Sequence, residues 1–312
     1  MATVYVLGAG ASVHAGYPLC SQLWPRMLAW VIEHNPSDSE FRRAIDLVVA
    51  LNGAVVDVEA LFTDLDLNRG IFKELSKSDC DRLRAALRRC LREYFKTVHV
   101  TATLYASFAE KLQPGDIVIT FNYDISLENE LIAKQLFRVR DGYGFVADWD
   151  ERSSEVIILK LHGSMNWIGS IFGGARGGSF GAFTTALGAR PFVDNSDSVF
   201  SAYEPKVLDK SFPGGGILGA EATLILPTYE KKFSISTSVG DEWVEFFESL
   251  WAKATASLQR AERIVVIGYK CGDLDFGYSS QSDCFIGGGS FSSGWTPMTL
   301  CTRTESASNW LY

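Results

Sequence analysis

Short apolar runs alternate with helical repeats along this chain. The runs are rich in β-branched residues and end in glycines or polar turns, which predicts buried β-strands over Thr3–Leu7, Ile117–Thr120, Val156–Leu159, Thr223–Pro227 and Arg263–Tyr269. Between them apolar residues recur at helical spacing, most clearly over 79–98 and 241–261. Strands that alternate with helices indicate βαβ units. We therefore predict an α/β fold with a Rossmann-like parallel sheet and helices on both faces.

The same pattern predicts how the chain is divided. Helical spacing over about 21–100 indicates a helical insertion between the first two strands of a main domain that spans 1–276. The glycine-rich stretch over about 168–222 has little periodicity, which suits a mobile excursion or lid and equally a disordered loop. In 277–312, 17 of 36 residues are Gly, Ser or Thr. We expect a poorly ordered tail there, in a chain that is a truncated or frameshifted member of its family.

Charge and composition limit which partners the protein is expected to bind and in which cellular compartment it is expected to lie. A net charge of −8 gives no electrostatic footprint for direct nucleic-acid binding. No apolar stretch approaches the 18 residues of a membrane span, and the six cysteines form no C-x-x-C pair. We therefore predict a soluble, cytoplasmic protein with reduced cysteines. The arginines over 82–92 are interpreted as a solvated helix face.

Glycines and polar residues follow the predicted strands where each strand ends. Because ligands of open α/β sheets lie outside the carboxyl ends of the strands, we expect these residues to converge on one crevice. The first strand leads into a glycine-rich turn of the kind that receives a phosphate or pyrophosphate. The candidate residues are Gly8, Ala9, Gly10, Ala11, Ser12, Gly16 and Pro18, then Thr120, Asn122 and Asp124, then His162, and finally Gly268 and Asp273.

Each of these features also has a purely structural interpretation. The first glycines can form a tight βα loop, the Asn-Tyr-Asp turn can cap a helix, and His162 can be an ordinary loop residue. An ordinary dehydrogenase is disfavoured, because position 13 is not glycine and no acidic residue stands at the distance that holds a ribose. The joint placement at strand ends favours a nucleotide site.

In this combination the motifs resemble the sirtuin family. Gly8-Ala9-Gly10-Ala11-Ser12 is similar to its cofactor loop, Thr120-Phe121-Asn122-Tyr123-Asp124 to its Thr-x-Asn-x-Asp element, and His162-Gly163 to its catalytic histidine motif. The segments 227–232 and 267–269 resemble the bacterial sirtuin-like branch, whose NADases act in antiphage defence. The resemblance implies NAD as substrate, with Asn122, Asp124 and His162 catalytic.

The chain departs from the sirtuin family at two places, and these differences decide which activity we predict. Leu19-Cys20-Ser21 replaces the Asp-Phe-Arg of sirtuin deacylases, and no four-cysteine zinc module follows His162, so no zinc is expected. We therefore predict a hydrolase that cleaves NAD to nicotinamide and ADP-ribose. The alternatives are an NAD-dependent deacylase or ADP-ribosyltransferase, and a non-catalytic NAD-binding sensor subunit. A defence-system protein or a second copy of the chain is the expected partner.

The resemblance also implies a role for each candidate residue. Cleavage of the nicotinamide–ribose bond passes through an oxocarbenium-like state, as in glycoside hydrolysis. Asn122 would hold the ribose or a water, and Asp124 would order its loop or bind the carboxamide. His162 would accept a proton from a ribose hydroxyl or from the attacking water.

Overall fold

The structure is a computed structural model that falls into two compact units. It describes residues 3–53, 57–98, 104–138, 142–143, 155–174, 181–182, 192–193, 215–228, 241–269 and 299–301. The first unit comprises Met1–Tyr17, His99–His162 and Glu248–Tyr312, and the second comprises Pro18–Val98 and Gly163–Phe247.

The secondary structure follows the alternation that the sequence predicts. The strands are β1 (Thr3–Leu7), β2 (Ile117–Thr120), β3 (Ile157–Lys160), β4 (Gly163–Gly174), β5 (Gly181–Ala182), β6 (Phe192–Val193), β7 (Gly215–Leu224), β8 (Arg263–Ile267) and β9 (Thr299–Cys301). The α-helices are α1 (Cys20–His34), α2 (Glu40–Asn52), α3 (Val58–Asp66), α4 (Lys77–Thr97), α5 (Tyr105–Ala109), α6 (Ser126–Ala133) and α7 (Asp241–Arg260).

A parallel sheet organises the first unit. Its strands are ordered β3-β2-β1-β8, all parallel, with β9 antiparallel at the β8 edge. Every residue of β2 and β3 is buried, as expected for strands covered on both faces. The predicted fold class is confirmed: the protein has a Rossmann-like α/β fold, and α1–α4 lie between β1 and β2 in the chain.

Local sequence fixes where the inserted helices begin. The Ser39 side chain accepts a hydrogen bond from Arg42 N at the start of α2, and Ser76 accepts one from Asp79 N at the start of α4. Asp57 accepts from two backbone N–H groups of α3. Short polar side chains satisfy the first N–H groups of a helix, so these starts are encoded locally.

Two α4 arginines are buried, so the prediction of a solvated face is wrong for them. Arg84 and Arg88 are 4% and 1% exposed. Arg84 Nε donates to Asp66 Oδ1 over 2.6 Å, and its other nitrogens bond to Asp81 and to the Leu65 carbonyl. An arginine tolerates burial when its donors are matched in this way, and helical spacing alone does not identify the acceptors on α3.

The second unit contains an antiparallel sheet that the sequence did not predict. β4 pairs with β5, β6 and β7, inside the stretch that was expected to be an excursion, lid or loop. The strand predicted over Thr223–Pro227 overlaps β7 only at its end, because β7 finishes at Leu224. Glycine-rich strands lack the apolar alternation on which a sequence-based prediction depends. The rest of that stretch lies outside the described residues.

The tail predicted over 277–312 contributes one described segment. Thr299–Cys301 form β9, in a stretch where no strand was predicted, and the other residues of the tail lie outside the described ones. β8 shows alternating burial, with Val265 and Ile267 buried and Ile264 and Val266 partly exposed. Across the described ranges, no helix has both the length and the apolar character that a membrane crossing requires.

The buried thiol of Cys90 on α4 gives a test of this packing. Burial raises its pKa to about 12, with a smaller contribution from the charge of Glu93. At pH 8 such a thiol is ionised in about one molecule in ten thousand, and the thiolate is the reactive species. We expect iodoacetamide to label the partly exposed Cys20 but not Cys90, as judged by peptide mass mapping. Equal labelling of the two cysteines in the folded protein would contradict this packing.

Candidate functional site

Glycines bring two loops into direct backbone contact at the carboxyl end of the sheet. The chain leaves β1 toward β2 on one side while β8 lies on the other, which is the kind of switch point where α/β sheets bind ligands. Gly10 N donates to Gly268 O over 2.9 Å, and a Cβ at Gly10 would lie 2.8 Å from that oxygen. Gly268 has φ +63°, and a Cβ there would collide with Ala11 N and Gly10. The contact between the loops therefore requires glycine at both positions.

This contact changes the role expected for the first loop. Gly8 N donates to Ile267 O over 3.0 Å, and Ala11 N donates to Gly8 O over 2.9 Å. With the Gly10 bond, three N–H groups of the predicted phosphate loop are used within the protein. A 3₁₀ helix, Ala9–Ala15, follows β1, and Ala9 and the C-capping Gly16 are exposed.

The Ser12 hydroxyl is the centre of a buried hydrogen-bond network. Ser12 is 2% exposed, and its Oγ donates to Asp124 Oδ2 over 2.6 Å and accepts from Asn122 Nδ2 over 2.8 Å. Tyr105 OH lies 2.9 Å from the same oxygen. A hydroxyl has one proton and two lone pairs, so with its proton on Asp124 it accepts from both Asn122 and Tyr105. Ser12 therefore has no hydrogen-bonding capacity left for a phosphate in this arrangement.

The orientation of the Asn122 amide follows from its partners. Nδ2 donates to Gly8 O over 2.9 Å as well as to Ser12 Oγ, and a carbonyl oxygen only accepts, so the nitrogen faces Gly8. Thr120 Oγ1 accepts from Asn122 N over 3.1 Å and fixes the backbone of the turn. Both amide protons of Asn122 are committed, so a hydrogen bond to a ligand would be accepted by Oδ1.

Asp124 supplies a buried negative charge beside two tyrosines. Its Oδ1 accepts from Ser126 N over 3.0 Å, so the carboxylate also caps the start of α6. Burial raises the pKa of Tyr105 and of Tyr17, and the Asp124 charge raises both pKa values further. Both phenols therefore stay protonated at neutral pH, and Tyr105 acts as the donor to Ser12.

A buried ion pair that no sequence motif indicated lies next to this network. Lys160 Nζ donates to Glu128 Oε1 over 2.7 Å and to the Asp124 carbonyl, and both charged side chains are almost fully buried. Tyr143 OH donates to the same Glu128 oxygen over 3.2 Å. Burial raises the pKa of Glu128, and the Lys160 charge opposes that shift. The available signal was a lysine inside an otherwise apolar run over 156–161.

His162 lies at the end of β3, against aromatic rings. β2 and β3 are in register with Thr120 opposite Lys160, so Phe121 and His162 extend from neighbouring strand ends. The His162 ring meets Phe121 edge-to-face with centroids 5.0 Å apart, and Tyr123 lies 6.4 Å away. Phe121 in turn stacks on Tyr269 at 4.9 Å. His162 is 7% exposed.

Most of the predicted site residues meet within the first unit. Hydrogen bonds and close backbone contacts join seven of them: Gly8, Gly10, Ala11, Ser12, Asn122, Asp124 and Gly268. Thr120 supports the Asn122 turn, and Phe121 links that turn to His162. Pro18 belongs to the second unit, and Asp273 lies outside the described residues.

No model of a known protein family matches this chain, and no curated protein matches it either. The sirtuin resemblance therefore stays a prediction from its motifs. Within the described ranges, no group of three or more His, Cys, Asp or Glu residues is arranged to hold a metal ion.

Because the two glycine loops are in backbone contact, we expect one methyl group added at Gly268 to destabilise the protein strongly. Gly268→Ala combines a left-handed φ with a backbone collision, so we expect a loss of about 3 kcal/mol or more of unfolding free energy. Gly115→Ala is the matched control, because its φ is +91° but nothing lies within 4 Å of the added Cβ. That variant should lose only about 1 kcal/mol. Urea unfolding followed by circular dichroism measures both, and equal losses would refute the collision.

The Ser12 network predicts that Ser12→Ala destabilises the protein although the side chain is small. The change leaves Asp124 Oδ2, Asn122 Nδ2 and Tyr105 OH each short of a buried partner. We expect a loss of about 2–4 kcal/mol of unfolding free energy. Ser257→Ala, which removes the bond from a buried hydroxyl to Lys253 O, is the control and should lose about 1 kcal/mol. A Ser12→Ala loss no larger than that of the control would contradict the shared hydroxyl.

Proposed function

We propose that the protein hydrolyses NAD at the nicotinamide–ribose bond, giving nicotinamide and ADP-ribose. The observation that carries the proposal is the arrangement at the carboxyl ends of β1, β2 and β3. An ordered Asn122 amide stands there with a histidine at the next strand end and a glycine loop beside them. The sirtuin resemblance indicates NAD as the ligand. The residues in this arrangement carry groups that can act in the cleavage of NAD.

The reaction needs few chemical groups from the protein. Nicotinamide leaves as a neutral molecule while positive charge develops on the ribose, so the leaving group needs no proton from the protein. The protein has to supply an oxygen acceptor that holds the ribose or a water, and a base. Asn122 Oδ1 suits this role, since the amide is locked by Gly8 O and Ser12 Oγ. His162 accepts the proton from the attacking water or from a ribose hydroxyl. Asp124 and Ser12 hold the loop and do not touch the substrate.

The role of His162 gives the deciding experiment. The purified full chain is incubated with NAD, and the products are separated by chromatography. Loss of a general base lowers turnover by about 10²- to 10⁴-fold, so His162→Ala should abolish nicotinamide release while NAD affinity, measured by calorimetry, is retained. His34→Ala is the matched control, because His34 lies on α1 in the second unit with about half of its side chain exposed. It should have wild-type activity.

Other outcomes would replace the proposal. Nicotinamide release that depends strictly on an acyl-lysine peptide would indicate a deacylase, and transfer of labelled ADP-ribose to protein would indicate a transferase. NAD binding without turnover in the wild type would indicate a sensor subunit. If His162→Ala released nicotinamide as fast as the wild type, the histidine would have no part in the chemistry.

The biological role that we propose follows from the resemblance. Bacterial sirtuin-like NADases act in antiphage defence, and NAD hydrolysis by this chain would serve the same purpose there. An activating partner, or assembly of several copies, is part of this proposal. Infection assays that compare wild-type and His162→Ala chains test it, and equal protection by the two chains would count against an enzymatic role.

A further inference from the structure

We propose that Lys160 is a positioning residue that sets the Asn122 loop relative to His162. The proposal rests on the proposed function, because it concerns the two residues to which that function assigns chemistry. Lys160 ends β3, two residues before His162, and its ammonium group reaches across to the loop that follows β2. One buried side chain therefore joins the two strand ends that carry the reacting groups.

The contacts of Lys160 differ from those of an ordinary ion pair. Nζ donates to the main-chain carbonyl of Asp124 as well as to Glu128 Oε1 at 2.7 Å. The carbonyl belongs to the loop itself, two residues after Asn122, while Glu128 lies in the first turn of α6. Lys160 thus holds the loop by its backbone and holds the helix that the loop enters by a side chain.

Burying the charged side chains of Lys160 and Glu128 costs free energy, so stability alone does not account for this ion pair. The side chains of Lys160 and Glu128 are 0% and 2% exposed, and taking two charges out of water offsets most of their attraction. Apolar residues of similar volume often serve equally well in a core. A charged pair at this point instead gives a directional bond to the Asp124 carbonyl, which an apolar residue cannot provide.

The position of Lys160 between the Asn122 loop and His162 explains why its loss should lower the turnover rate. Asn122 Oδ1 and the His162 ring must face the same ribose, and they come from separate loops. A misplacement of about 1 Å between reacting groups lowers a rate by about 100-fold. Loss of the hydrogen bonds that Lys160 makes to the loop and to α6 should therefore lower kcat. NAD affinity should be preserved, because neither Nζ partner belongs to the glycine loop.

The test uses a double variant, Lys160→Met with Glu128→Gln. Removing Lys160 alone would strand a buried carboxylate and risk unfolding, whereas the double variant removes both charges and keeps an acceptor for Tyr143. We expect kcat for nicotinamide release to fall by about 10- to 100-fold, with the NAD dissociation constant unchanged within about twofold. Amide hydrogen exchange at Asn122 and Ser126 should become faster.

A matched control separates positioning from general stability. Arg84 and Asp66 form a buried ion pair of the same kind in the second unit, with side chains 4% and 2% exposed. The double variant Arg84→Met with Asp66→Asn should reduce the melting temperature at least as much as the Lys160 double variant does. Its kcat should equal that of the wild type.

The outcomes distinguish this proposal from the proposed function. If the wild type hydrolyses NAD and the Lys160 double variant keeps the wild-type kcat, the positioning role is overturned. The same holds if both double variants lose kcat equally, since stability would then account for the loss. If the wild type releases no nicotinamide, the proposed function fails. Amide exchange of the Lys160 double variant then decides alone. Faster exchange at Asn122 and Ser126 supports the positioning role of Lys160, and unchanged exchange overturns it.

Discussion

The Ser12 hydroxyl holds together three chain segments that are far apart in the sequence. Its partners Tyr105 and Asp124 lie 93 and 112 residues away, and Asn122 lies 110 residues away. A buried hydroxyl that uses its proton and both lone pairs fixes the direction of each partner, because any rotation would leave a buried group unsatisfied. The turn after β2, the loop after β1 and the start of α5 are therefore ordered as one unit. The glycine contact with Gly268 extends that order to the end of β8.

This order divides the candidate site residues into two kinds. Ser12 and the glycines have their hydrogen-bonding or steric capacity used within the protein, and the buried Asp124 carboxylate binds Ser12 and the backbone of Ser126, so these residues hold the loops. In the proposed function, Asn122 and His162 are the residues that contact the ligand, through Oδ1 and the imidazole ring. Lys160 connects β3 to the loop after β2 and, through Glu128, to α6. A site of this construction depends on buried polar contacts more than on exposed groups.

Buried charge recurs in both units and is matched in each. Arg84 is held by Asp66, Asp81 and the Leu65 carbonyl in the second unit, as Lys160 is held by Glu128 and the Asp124 carbonyl in the first. In each case a side-chain partner and a main-chain carbonyl share the donors. Such pairs are poorly visible in a sequence, because a basic residue on an amphipathic helix or at a strand end is most often solvated. The solvated face predicted for α4 was wrong at Arg84 and Arg88 for this reason.

The sequence by itself determined the parallel strands, the helices capped by Ser39, Asp57 and Ser76, and the grouping of Gly8, Asn122 and His162 at one edge of the sheet. These features depend on local periodicity, on side chains that bond to nearby backbone, and on the rule that parallel strands share one carboxyl end. Only the tertiary structure decided which partner each polar group takes: that Ser12 faces Asp124, that Lys160 is buried, and that Gly10 touches Gly268. The antiparallel strands of the glycine-rich stretch belong to the same class. The side-chain and glycine contacts join residues that are 32 or more positions apart in the chain, and no local pattern encodes them.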